Sequence, residues 1–210
     1  VSGAANVAYS DSILNATAFN KYEASGEEVG IKLDKLEKVL DGVSRDSELH
    51  IYYDDETRSL NISSEGQEFQ LSTLPSDEVS LPDFEESDIE FDSTVVLGGE
   101  EISKAINLAD KFSDYMEVDI DTEERELILT GSGDTDMTER RISESDMETF
   151  EPGDVSSVYS LDLLTSLTKV MKESNTVKIR LSEISRPMKL RIPIADGKGH
   201  IKYYISPRIS

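Results

Sequence analysis

Cysteine is absent from the 210 residues, and so is tryptophan. Without a thiol there is no disulfide framework, no thiolate metal site and no cysteine nucleophile. Histidine occurs only at His50 and His200, so imidazole acid–base chemistry has two groups at most to draw on. Cations are scarce: 21 Lys and Arg face 44 Asp and Glu, a formal charge of −23. Long apolar runs are missing as well. No stretch nears the ~18 residues of a membrane span, and no charged-then-apolar leader opens the chain, so no membrane association is expected. These absences leave most of the enzyme repertoire without support.

What is present is enough to fold. Hydrophobic residues make up 37%, and the length suits one large domain or two of about 100 residues. Leu49–Tyr53, Glu126–Thr130, Thr176–Leu181 and His200–Ile205 alternate as strands do. Such acidity means either disorder or adaptation of a folded surface to high salt, and the strands favour the second.

Internal repetition organises the chain. Laying Val29–Ile62 over Ser157–Leu190 puts Leu33-Asp34 on Leu161-Asp162, Leu49 on Val177, Ile51 on Ile179 and Arg58 on Arg186. Both copies read as a short strand, an amphipathic helix and a β-hairpin, and a looser copy starts at Thr94. The fold class expected is α+β, built from a repeated strand–helix–strand–strand unit. Between the copies, Leu74–Asp92 holds Pro75, Pro82 and eight acids without a Lys or Arg, the composition of a connector. The division expected is therefore a first domain over 1–74, a connector over 75–92 and a second domain over 93–210. Val79, Leu81 and Phe84 are unusual in a spacer; they either pin the connector to its own domain or receive a partner. The repeat offset also implies that a strand–helix–strand opening of ~35 residues precedes Val1.

Three helical segments carry less acidity than the rest. In the first, Leu33, Leu36, Val39, Leu40 and Val43 form the apolar stripe, with Lys35 and Lys38 away from it. In the second the stripe is Ile102, Ala105, Ala109 and Phe112, with Lys104 and Lys111 on the polar side. In the third, Leu161, Leu164, Leu167 and Met171 face inward, Lys169 points away and Lys172 lies at the border. Segments 31–41 and 160–173 balance Lys against acid, and 100–114 holds two Lys against four acids. These faces are either ordinary solvated surface or a surface turned toward a polyanion, where Lys neutralises phosphates without reading sequence.

Other motifs carry no chemistry. Gly131-Ser132-Gly133-Asp134 lacks the Lys of a phosphate loop and reads as a hairpin turn. Asp119-Ile120-Asp121-Thr122-Glu123 lacks the central Gly of a calcium loop and reads as an acidic hairpin tip. Neither a metal nor a cofactor is expected.

The C-terminal stretch Ile194-Ala195-Asp196-Gly197-Lys198-Gly199-His200-Ile201-Lys202-Tyr203-Tyr204-Ile205-Ser206-Pro207-Arg208 closely resembles the end of proliferating cell nuclear antigen, the sliding-clamp family of archaea and eukaryotes. Ala5-Asn6-Val7, Phe19–Glu23, Leu33–Leu36, Ser113-Asp114 and Tyr159–Asp162 agree with it, and the acidity is most similar to that of salt-adapted archaeal members. The resemblance implies the processivity fold, two similar domains of repeated βαβββ units, with three subunits closing a ring. Sheets lie outside and helices line a hole around double-stranded DNA. It implies no catalysis and a cytoplasmic place at the archaeal nucleoid. The partners implied are DNA polymerase, flap endonuclease, DNA ligase and a clamp loader.

By position, Lys38, Lys104 and Lys169 match basic lining residues, with Lys35, Lys111 and Lys172 beside them. A peptide pocket is implied at Asn6, Val7, Pro187, Tyr204, Ser206 and Pro207, with Leu81 and Phe84 from the connector. Subunits would meet through strand 68–72, centred on Phe69, and strand 138–143, carrying Arg140 and Arg141. The rivals are a non-encircling acidic adaptor that kept the pocket, and a carboxylate hydrolase, for which no spacing singles out a pair.

Overall fold

The computed structural model describes residues 8–44, 46–75, 78–79, 89–182 and 186–208. The chain divides into two compact units, Val1–Tyr22 with Glu85–Ser210, and Glu23–Phe84. Each is described by itself.

The larger unit holds two antiparallel sheets. Its six-stranded sheet runs β1 (Ala8–Leu14), β13 (Gly199–Ile205), β12 (Met188–Ile194), β11 (Thr176–Leu181), β5 (Ser93–Gly98), β9 (Met147–Glu151). The four-stranded sheet runs β10 (Ser156–Ser160), β6 (Tyr115–Asp121), β7 (Glu126–Ser132), β8 (Met137–Ser143). Strand alternation sorts side chains to two faces. Val95, Leu97, Val177, Ile179, Leu190 and Ile192 from the first sheet join Met116, Val118, Leu127 and Ile142 from the second in one core. Helix α2 (Gly99–Ala109) adds Ile102, Ala105, Ile106 and Ala109 to it.

The third expected helix is two short ones, α3 (Leu161–Thr165) and α4 (Thr168–Glu173). The hydroxyls explain the break. Ser166 Oγ donates to the Leu163 carbonyl at 2.6 Å and Thr168 Oγ1 to the Thr165 carbonyl at 2.8 Å, which competes with the helical ladder. The stripe survives the break: Leu161, Leu164, Leu167 and Met171 are all buried. In α2 the stripe turns inward at Ile106, while Phe112, three residues past the helix, is exposed.

Glycine permits close approach at the hairpin between β7 and β8. A Cβ on Gly133 would sit 2.3 Å from the Phe112 carbonyl oxygen, so only glycine fits there. At the β6–β7 tip, Asp121 accepts from the backbone N–H of Glu123 and Glu124 at 3.0 and 2.9 Å; its carboxylate shapes the turn.

Strand β1 belongs to this larger unit, whereas the sequence placed its residues in the first domain. It pairs along the free edge of β13, from Ala8 opposite Ile205 to Leu14 opposite Gly199. Asp11 lies 3.3 Å from Lys202 Nζ across that pairing.

The smaller unit holds α1 (Leu33–Asp41) and a three-stranded sheet of β2 (His50–Asp54), β3 (Ser59–Ser64) and β4 (Gln67–Ser72). Glu65 and Gly66, with φ of 50° and 80°, make the two-residue turn between β3 and β4, the twist that such a hairpin favours. The expected apolar stripe of α1 is only partly used. Val39 is buried and Leu36 and Val43 are half-buried, but Leu33 is 74% and Leu40 42% exposed. One sheet of three strands covers a narrower arc than the stripe spans. Val79 packs its Cγ2 against Gly30, where a Cβ would meet it at 2.6 Å; this apolar connector residue is held by its own unit.

Candidate functional site

Three lysines of the larger unit come together because α2, with the turn that follows it, and α4 pack side by side. Ser103, buried on α2, donates its hydroxyl to the Thr168 carbonyl at 3.0 Å. That bond sets the first turn of α4 against the middle of α2. A shallow depression of about 370 Å³ follows along this seam, lined by Glu100, Ser103, Lys104, Asn107, Leu108, Lys111 and Lys172. Three of the expected DNA-facing lysines thus share one surface with a single acid. Lys104 Nζ sits 2.9 Å from Glu100 one helical turn away. That hydrogen bond, then the Lys104 charge and last Lys172, hold the Glu100 carboxyl below its ordinary range. Lys169 is exposed on α4 but does not line the depression. In the smaller unit Lys35 and Lys38 are exposed on α1.

The expected contact strands are both sheet edges. β4 ends the order β2-β3-β4 and β8 ends β10-β6-β7-β8, so each carries a row of backbone groups without a neighbouring strand among the described residues. Phe69 stands opposite buried Ile62 and is half-buried, its ring on the core side of its sheet. Arg140 is tied to Glu101 of α2, with Nε at 2.8 Å from Oε1. Arg141 bridges Glu139 at 2.8 Å and Glu126 at 3.2 Å. Both arginines therefore have partners within the chain.

Of the expected peptide pocket, Asn6, Val7, Leu81 and Phe84 lie outside the described residues. Pro187 is half-buried ahead of β12, and Ser206 and Pro207 are half-buried after β13. Tyr204 is 4% exposed, its ring 5.9 Å from that of Tyr9 and below the ammonium of Lys189 at 5.6 Å. Its ring is therefore buried rather than presented as an open wall. Arg208 then leaves the sheet, its guanidinium 4.1 Å from the Tyr115 ring and its N–H on the Val158 carbonyl.

A cluster that the sequence reading passed over lies on the outer face of the six-stranded sheet. Lys178, Arg180, Lys189 and Arg191 surround a recess of about 90 Å³. The signal was two cation–apolar–cation triplets, Lys178-Ile179-Arg180 and Lys189-Leu190-Arg191. Alternation puts both cations of each on one face, but only pairing of β11 with β12 joins them.

No protein-family model matches the chain. Curated relatives do. The "DNA polymerase sliding clamp" of Natronomonas pharaonis is 33% identical over 206 residues, which cover 98% of this chain and 82% of the relative. That of Haloarcula marismortui is 31% identical with the same coverage. Among solved structures, the complex titled "C-terminal region of FEN-1 bound to A. fulgidus PCNA" superposes with a TM-score of 0.88 at 22% identity, covering 98% of this chain and 82% of that one. The PCNA2–PCNA3 complex of Sulfolobus tokodaii does so at 0.81 and 25% identity, covering 96% and 82%. The fold is thus that of the PCNA clamps, α+β with repeated strand–helix units. The chain belongs to the DNA polymerase sliding clamp family, among relatives from halophilic archaea.

Proposed function

We propose that this chain is a non-catalytic processivity factor, three copies of which close around duplex DNA and hold replication proteins on it. The observation that carries the reading is the seam of α2 and α4, where Lys104, Lys111 and Lys172 gather around one depression in a chain of charge −23. Lysines without planar donor forks neutralise phosphates and read no bases, which suits a protein that must slide. Lys169, and Lys35 and Lys38 on α1, extend the same role. Low affinity is no handicap, because a closed ring stays on DNA by topology.

Edge strands β4 and β8 supply the subunit contacts in this reading. Pro187, Ser206 and Pro207, beside the buried Tyr204, take the apolar plug of partner peptides from polymerase, flap endonuclease, ligase and clamp loader. The protein then acts at the nucleoid, in the cytoplasm.

The test replaces Lys104, Lys111 and Lys172 together by Glu. Retention on nicked circular DNA and polymerase run length should each fall several-fold, with mass in solution unchanged. Full retention in the triple variant would reduce these lysines to solvated surface and remove the support for encirclement.

A further inference from the structure

The outer face of the six-stranded sheet can be read residue by residue from its pairing. One row of directly opposed residues runs Thr149, Val96, Lys178, Arg191, Lys202, Asp11; the next runs Glu151, Thr94, Arg180, Lys189, Tyr204, Tyr9. Acids stand only on the two edge strands. The middle carries five cations, in a chain with twice as many acids as bases. Opposed like charges destabilise a sheet, and here Lys178 faces Arg191 while Arg180 faces Lys189. Asp11 answers Lys202 at 3.3 Å. Among the described residues, however, no carboxylate lies within ion-pair distance of Lys178, Arg180 or Arg191.

The recess between them is built rather than open. Lys189 is 6% exposed. The Arg180 guanidinium is stacked 4.3 Å from the Phe91 ring, and its buried Nε has no hydrogen-bond partner among the described residues. Lys178 and Arg191 are exposed at the rim. Strand geometry sets the corners about 4.8 Å apart across the strands and about 6.7 Å apart along them.

We propose that this recess binds a phosphoryl group, free or carried on a nucleic-acid backbone that passes outside the ring. A tetrahedral dianion offers an oxygen to each of Lys178, Arg180 and Arg191, and its charge offsets the repulsion among them. Two arginine forks suit phosphate oxygens in particular. A lone carboxylate has two coplanar oxygens and serves two corners only. The site is distinct from the lysine seam of α2 and α4, and either can fail without the other.

His200 gives a built-in reporter. It shares this face, opposite Pro193 and two residues from Lys202. Burial first, then the charges of Arg191 and Lys202, hold its pKa below the ordinary histidine value; Asp11 acts in the opposite sense, and Lys189 adds weakly to the lowering. An anion seated beside Arg191 offsets that field and must raise it. His50, the other histidine, is the internal control.

The experiment titrates inorganic phosphate, an oligothymidylate and a glutamate-rich peptide into the protein at constant ionic strength, reading calorimetry and the two histidine resonances. Phosphate or the oligonucleotide should raise the His200 pKa by roughly half a unit and leave His50 alone. Lys178→Gln with Arg191→Gln, both at exposed rim positions, should weaken binding at least about tenfold; Arg191→Gln alone serves if the pair fails to melt like wild type. Binding of inorganic phosphate establishes a free-phosphate site, and binding of the oligonucleotide alone a backbone site. Binding of the peptide alone, of none of the probes, or with equal strength in the variant overturns the proposal.

Discussion

Two adjacent glycines show how one position can be decided by its surroundings. Gly98 ends β5 with open space around it, while Gly99 starts α2 beneath the end of α4. A Cβ on Gly99 would lie 1.9 Å from the Met171 carbonyl oxygen and 2.5 Å from that of Ser174. Both are backbone atoms and cannot turn aside. Gly99→Ala should therefore cost about 1–3 kcal/mol or more, as overpacking does, whereas Gly98→Ala should stay within about 0.5 kcal/mol. Urea unfolding of the two variants checks this. Equal stabilities would mean that α4 yields readily, and that its lysines are not held in place.

At the scale of elements, the contact between α2 and α4 decides the candidate site. Neither helix presents the lysine group alone, since Lys104 comes from α2, Lys111 from the turn that follows it and Lys172 from α4. Their register rests on the Ser103 hydroxyl, which Asn107 supports by donating to the Ser103 carbonyl at 2.8 Å. Ser103→Ala leaves the Thr168 carbonyl without that donor. Stability should drop by about 1–3 kcal/mol, read by thermal or urea unfolding. DNA retention should fall less than in the lysine triple variant, because the charges remain. Retention as poor as in the triple variant would make spacing, not charge, the controlling quantity.

For the whole molecule, a charge of −23 on 210 residues dominates. Each acidic subunit repels its neighbours, and the reach of that repulsion shrinks from about 10 Å at 0.1 M salt to about 3 Å at 1 M. Trimers should accordingly be favoured by molar salt and dissociate toward monomers near 0.1 M. Sedimentation or light scattering across that range checks the expectation; a monomer at every salt concentration would contradict ring closure for this chain. The folded state should also gain melting temperature with salt, since self-repulsion opposes compactness. Arg125, Arg140 and Arg141 temper the repulsion locally through carboxylates on neighbouring elements.

The sequence by itself determined the α+β class, the repeated strand–helix–hairpin unit and the inward stripes of the larger unit. These follow from periods of 2 and 3.6 residues, which neighbours along the chain set between them. Tertiary structure alone decided what depends on partners distant in sequence. The hydroxyls of Ser166 and Thr168 split a helix whose stripe reads as continuous. β1 joined the free edge of β13 because backbone groups pair without regard to side-chain pattern. Leu33 and Leu40 stayed exposed because a stripe records what a helix can bury, not what is there to cover it. The four cations around the outer recess stand on two strands whose alternation is plain, but strand order and register alone made them neighbours.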